Sequence, residues 1–317
     1  LFLETSTHRI ALAELYGLIV LVSCASAFEN PARAAILPGL VPRDRFARAV
    51  TISSTNQALA FAAGPALGGL VIADAGIAAA YALFIGLIAV AFVLMVLLRA
   101  GGSAGGPRRA ISLAAIREGL AFVWSRPVVL GCMTLDMFAV IFGGATALLP
   151  VYAQDILHVG ARGYGLLSAS LEIGALAMAA LLVLRPPVER AGPTLLIAVA
   201  IYGLATMVFG ASRSFPLSVG AYMLAGMADQ VSVVMRSTAI QLSTPDELRG
   251  RVSSVNMLFI GASNQLGAAE SGFVAELTTP TFAVVSGGAA CLLVVAIVAL
   301  RLPELRQYRI ESLRVRS

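Results

Sequence analysis

Long apolar blocks, recurring along the whole chain and separated by short arginine-bearing turns, restrict this sequence more than any single motif does. Nine of them, at about 11–30, 51–73, 77–98, 128–150, 163–184, 192–211, 215–238, 252–275 and 279–299, are long enough to cross a hydrocarbon core of about 30 Å as helices. Apolar residues make up 59% of the 317-residue chain, charged residues 12%, and the mean hydropathy is +0.89. A soluble globule has no interior large enough to hide so many such blocks. In lipid every backbone polar group must be satisfied inside the protein, so the expected fold class is an all-α membrane protein.

Charge is distributed by loop. One set of alternate loops carries Arg43, Arg45 and Arg48, then Arg99, Arg108, Arg109, Arg117 and Arg126, then Arg185 and Arg190, then Arg249 and Arg251, and finally Arg301, Arg306, Arg309, Arg314 and Arg316. The opposite loops carry little beyond Arg9, Arg162 and Arg213. Basic residues are retained on the cytoplasmic side, which puts the first set and the C-terminus there. The net charge of +5 is thus a topology signal, and no aromatic-basic groove pattern suggests a nucleic-acid partner. Cys24, Cys132 and Cys291 lie in separate blocks without CxxC spacing, so neither a disulfide framework nor a metal site is expected. There is no Walker phosphate loop, no GxGxxG after a strand, no HExxH and no GxSxG. Neither an enzyme nor a cofactor is expected.

The chain also contains part of itself twice. Arg33, Pro42, Arg48, Gly64 and Gly69 align without a gap with Arg236, Pro245, Arg251, Gly267 and Gly272. A parallel repeat inside so apolar a chain predicts a transporter of two equivalent halves. Three blocks precede the second copy and only part of one precedes the first, which predicts about three helices before Leu1. On that reading the visible helices are four to twelve of twelve. Residues 1–98 then form the remainder of an N-terminal bundle, 99–127 a cytoplasmic linker, 128–299 a C-terminal six-helix bundle, and 300–317 a cytoplasmic tail. In the linker, glycine-rich 101–106 precedes an amphipathic stretch with Ile111, Leu113, Ile116, Leu120 and Trp124 on one side. It reads as a surface helix with Trp124 near the headgroups.

The run from Phe28-Glu29-Asn30-Pro31-Ala32-Arg33 to Leu40-Val41-Pro42, followed by Gly64-Pro65-Ala66-Leu67-Gly68-Gly69, resembles the major facilitator superfamily. Within it the chain is similar to the bacterial transmembrane secretion effectors, the group related to enterobactin exporters. The resemblance covers essentially the whole chain and implies the major facilitator fold, with two pseudo-symmetric bundles. It also implies efflux and a helix-five motif, Gly64, Pro65, Gly68 and Gly69, that limits leak during exchange. Read from the residues alone, the motif is a small-residue packing surface that Pro65 can kink.

Ionisable groups inside spans face a cavity or a partner, because lipid penalises them by several kcal/mol. Asp136, Glu172 and Asp229 fall near the middle of their blocks, and Glu270 nearer an end. Each is a candidate for binding a proton or a cationic substrate group, or a structural hydrogen bond or ion pair. Asn56, Gln57, Gln230, Asn264 and Gln265 are candidate polar contacts in the cavity or bridges between helices, and Glu14 is expected near the outer mouth. Arg33 and Arg236 are expected to pair with the loop acids Asp44 and Asp246 as a cytoplasmic gate. The functional expectation is a proton-coupled secondary exporter of a small amphipathic compound, monomeric, in a bacterial inner membrane, with protons, lipids and a small-molecule substrate as its partners. Uptake, facilitated diffusion or a non-transporting regulatory role are the alternatives.

Overall fold

The computed structural model describes residues 16–25, 46–97, 113–184 and 188–310. Contacts divide the chain into two units, residues 1–110 and 111–317. The described residues are almost entirely helical, and no strand occurs among them.

In the first unit, a short apolar helix α1 (Tyr16–Ala25) precedes α2 (Phe46–Leu97). At 52 residues α2 is longer than one membrane crossing needs, and it is broken at Gly76, whose φ of 82° and ψ of 171° only glycine adopts without strain. The boundary expected between blocks 51–73 and 77–98 falls at this residue. The helix runs through Pro65, the loss of one N–H donor being tolerated where the rest of the ladder holds.

In the second unit, α3 (Leu113–Ser125) leads into α4 (Pro127–Gly143), and then come α5 (Gly160–Leu184), α6 (Ala191–Ala211), α7 (Phe215–Ser243), α8 (Asp246–Leu277), α9 (Pro280–Arg301) and the short α10 (Pro303–Arg306). Six described helices are long and apolar enough to cross a membrane: Leu59–Leu97, Pro127–Ile156, α5, α6, α7 and α9. The expected block 252–275 lies within α8, which is long enough at 32 residues but is less apolar. Asn256, Ser263, Asn264, Gln265, Glu270 and Ser271 dilute it.

The outer faces are apolar. On α6, Ile197, Ile201, Leu204 and Val208 recur at helical spacing and are all exposed, and Leu293, Ile297 and Leu300 do the same on α9. A helix that presents its leucines outward and packs glycines and small residues inward is built for lipid. Gly174 of α5 abuts the Met223 carbonyl of α7, and Gly226 of α7 abuts the Leu171 carbonyl of α5, so a Cβ at either would meet backbone. The glycines of α2 behave differently: a Cβ at Gly64 or Gly68 would meet nothing within 4 Å. Their second-half counterparts split, Gly267 packing against Val140 and Ile141 of α4 while Gly272 stands in open space.

Two apolar clusters fill the second unit. One gathers Cys132, Met133, Leu135, Leu195, Val199, Met235 and Val298 with Val123 of α3. The other gathers Leu148, Leu149, Tyr152, Leu167, Phe209, Tyr222 and Val284. In the second, the ring of Phe209 lies 4.7 Å from that of Tyr152 and 5.0 Å from that of Tyr222, and the Tyr152 hydroxyl donates to the Gly210 carbonyl at 2.8 Å.

Residues 302–310 fold back on the bundle. Leu305 is fully buried beneath Gly131 and Gly192. The Gly192 N–H donates to the Tyr308 carbonyl at 3.1 Å, and the Ile310 N–H to the Glu189 carbonyl at 2.8 Å. At α3, Gly119 sits on the Arg251 carbonyl and Val255 of α8, and Glu118 pairs with Arg251. Trp124 is 66% exposed, on the side of α3 away from these contacts.

Candidate functional site

Between the two apolar clusters lies a cavity of about 180 Å³. Its polar wall is made by Asp136 of α4, Tyr202 of α6, Asp229 and Ser232 of α7, Asn264 of α8, and Thr146 just beyond α4. Along α4, α6 and α7 alike, the residues of one cluster come before the cavity residues and those of the other after them. The polar pocket is therefore capped by hydrocarbon at both ends within this unit.

A local break in α4 shapes it. The helix stops at Gly143, and the chain continues through a 3₁₀ turn (Ala145–Leu148), one helical turn (Leu149–Val151) and a π turn (Tyr152–Ile156). Irregular backbone at such a depth needs its freed carbonyls satisfied by the protein. Hydroxyls from two neighbouring helices do this: Tyr202 donates to the Gly143 carbonyl at 2.9 Å, and Ser271 to the Gly144 carbonyl at 3.2 Å. The Thr146 hydroxyl is bonded to that of Tyr222 at 2.9 Å.

Asp136 and Arg236 form a buried ion pair, their side chains 10% and 6% exposed. This corrects the expectation that Arg236 pairs with the loop acids Asp44 or Asp246. Arg236 sits on the face of α7 that meets α4, one helical repeat past Asp229, and the acid within reach there is Asp136. Arg33, Asp44 and Glu14 lie outside the described residues, as do the side chains of Gln57 and Asp246, although Asp246 opens α8.

Asp229 makes no ion pair or hydrogen bond among the described residues, and the charge acting on it is that of Glu172, half-buried on α5. Glu172 does not line the cavity. Neither does Gln230, half-buried one position past Asp229, nor Gln265, which is exposed beside Asn264. Glu270 is half-buried, with its Oε2 3.4 Å from the Ser271 hydroxyl. Asn56 is exposed on α2. Among the described candidates of the second unit, Asp136, Asp229 and Asn264 line one space, and Glu172, Gln230, Gln265 and Glu270 do not. Tyr202 and Ser232 were not anticipated. For Ser232 a signal existed, since Asp229, Ser232 and Arg236 follow an i, i+3, i+7 spacing that places them on one helix face.

Helices with lipid-suited outer faces around an internal polar cavity define a multi-pass helical membrane protein. Comparison with known proteins agrees. The family model for transmembrane secretion effectors matches residues 1–315, and the chain belongs to that family, within the major facilitator superfamily. It is similar to proteins named Enterobactin exporter EntS from Escherichia coli (strain E24377A) and from Escherichia fergusonii, each 27% identical over 277 residues. The matched region is 87% of this chain and 66% of each relative, so the chain spans just under two thirds of the curated relatives it matches.

Proposed function

We propose that this chain forms most of a secondary exporter that moves a small amphipathic compound, such as a drug, a secreted metabolite or a siderophore, out of the cell against an inward flow of protons. The observation that carries this reading is the capped cavity of the second unit, with Asp229 facing it unpaired and Asp136 facing it paired to Arg236. A carboxylate held away from water in the middle of a bundle binds a proton or a cation in one state and yields it in another. The family and the exporter names of its relatives support the outward direction.

The sequence repeat supports a two-bundle scheme in which residues 1–98 are helices four to six, 128–299 helices seven to twelve, and the two rock about a central site. The arginine asymmetry supports an inner-membrane protein with its C-terminus in the cytoplasm. The helix-five motif Gly64, Pro65, Gly68 and Gly69 is assigned to sealing that scheme, with Asn56, Gln57, Gln230 and Glu270 as secondary polar positions. Arg33, Asp44 and Asp246 are kept as the cytoplasmic gate, and the molecule as a monomer.

The test is efflux from vesicles containing the full-length protein, with fluorescent cations and siderophores as cargo and an imposed proton gradient. Gradient-dependent movement that Asp229→Asn abolishes and Glu172→Gln reduces is the expected result. Movement indifferent to the gradient would refute proton coupling, and no movement of any cargo would count against transport itself.

A further inference from the structure

The depth at which α3 lies follows from two glycine contacts. Gly267 of α8 packs against Ile141 of α4, and the two helices run parallel from there, since Ser271, one turn on, reaches the Gly144 carbonyl. Fifteen residues back along both helices, Arg126 at the start of α4 is level with Val252 of α8. Gly119, seven residues before Arg126, meets this same turn of α8, at Arg251 and Val255. Over two turns α3 therefore holds one depth, lying across the end of the helices where α4 begins its crossing. A single extended residue, Arg126 with φ of −120° and ψ of 99°, makes the corner.

The two faces of α3 differ. Gly119 and Val123, four residues apart, are buried against the bundle, whereas Arg117, Ala121 and Trp124 share the opposite side and are exposed. With α3 in the plane of the bilayer surface, that side points outward into the headgroup layer, the depth at which tryptophan settles. The charge there is basic and uncompensated. Glu118, the one acid of α3, is taken up by Arg251 of α8. Arg117 and Arg126 are exposed and make no ion pair among the described residues, and the Arg126 guanidinium rests 5.7 Å from the centroid of the Phe122 ring.

We infer that the outward side of α3 is a binding surface for acidic phospholipid, with Arg117 and Arg126 pairing with headgroup phosphates and Trp124 seated between the headgroups and the first methylenes. A zwitterionic headgroup brings its own cation, and this side has no unengaged carboxylate among its described residues to receive it. An acidic headgroup brings only the anion, which a guanidinium binds in bidentate fashion. The two arginines stand about 14 Å apart along the helix axis, so they engage neighbouring lipids and not one. Such binding requires only that α3 lie at the membrane surface, and it is independent of any transport activity.

Trp124 is the one tryptophan in the 317 residues and so reports its own surroundings. The experiment places the full-length protein in vesicles of phosphatidylcholine mixed with phosphatidylglycerol, one or the other brominated near the headgroup end of its chains. The signal followed is the fluorescence that Trp124→Phe removes. A basic side chain near the surface favours an acidic lipid by about fivefold, so in the wild type phosphatidylglycerol is expected to associate at Trp124 at least about fivefold more strongly than phosphatidylcholine. Arg117→Gln/Arg126→Gln is expected to bring that ratio to about one, Arg117→Gln alone to lower it, and raised salt to lower it in the wild type. A ratio near one in the wild type, quenching by neither lipid, or a ratio undiminished in the double variant would each overturn the inference. If the double variant does not fold, an undiminished ratio in Arg117→Gln overturns it instead. Quenching is read without cargo or gradient, so its result stands whether or not efflux from vesicles is seen.

Discussion

Removing Arg236 is the most informative single perturbation of the bundle. Its pair with Asp136 is buried on both sides, at 6% and 10% exposure, so Arg236→Met strands a carboxylate between α4 and α7 with no solvent to take the place of the guanidinium. Breaking a buried pair from one side costs about 3–5 kcal/mol, whereas replacing both partners with apolar groups of similar volume is close to neutral. For a domain of this size each kcal/mol moves the midpoint by about 2–4 °C, so the single variant is expected to melt about 6–20 °C below the wild type. Asp136→Leu alone is expected to cost a similar amount, because it strands the cation. The double variant Asp136→Leu/Arg236→Met is expected to return to within about 1 kcal/mol of the wild type. Thermal melting of the four proteins in one detergent, followed by size-exclusion recovery of the folded species, closes the cycle. A loss below about 2 °C for Arg236→Met, or a double variant as unstable as the two singles added together, would show that the pair is not the buried contact described here.

Three further outcomes follow from other contacts. Tyr202→Phe removes the donor that satisfies the Gly143 carbonyl at the break in α4, and is expected to cost about 1–3 kcal/mol by the same melting assay. Leu305→Ala empties the fully buried position beneath Gly131 and Gly192 and is expected to cost about 2–5 kcal/mol, with proteolysis near residues 302–310 rising as the fold-back loosens. Glu118→Gln breaks a half-exposed pair with Arg251 and is expected to shift stability by less than about 1 kcal/mol, an effect that raised salt should mimic.

The helices of the second unit were legible because their signal is cumulative. Blocks 163–184, 192–211 and 279–299 match α5, α6 and α9 to within a few residues, since hydropathy averaged over a span outweighs any one side chain. Single contacts carry no such average. Nothing in the spacing of Asp136 and Arg236, which lie on different helices, says that they meet, and the repeat alignment drew Arg236 toward the loop acids instead. The break in α4 was hidden for the same reason: Gly143-Gly144 is unremarkable inside an apolar run until Tyr202 and Ser271 arrive from two other helices to hold its carbonyls. The site was half visible. Asp136, Asp229 and Asn264 stood out as polar residues in apolar surroundings, while Tyr202 and Ser232 are common enough in spans to pass unnoticed.

The two hydrocarbon caps on the cavity also act as insulation. Asp229 and Arg236 are seven residues apart on one helix, about 10 Å along its axis. At that distance two unit charges interact by about 0.4 kcal/mol in water, but by about 1.7 kcal/mol at the effective dielectric of a protein interior. Asp136 lines the same pocket with the opposite sign to Arg236, so a change of charge at Asp229 acts on the two members of the ion pair in opposite directions, and the low dielectric magnifies only the difference.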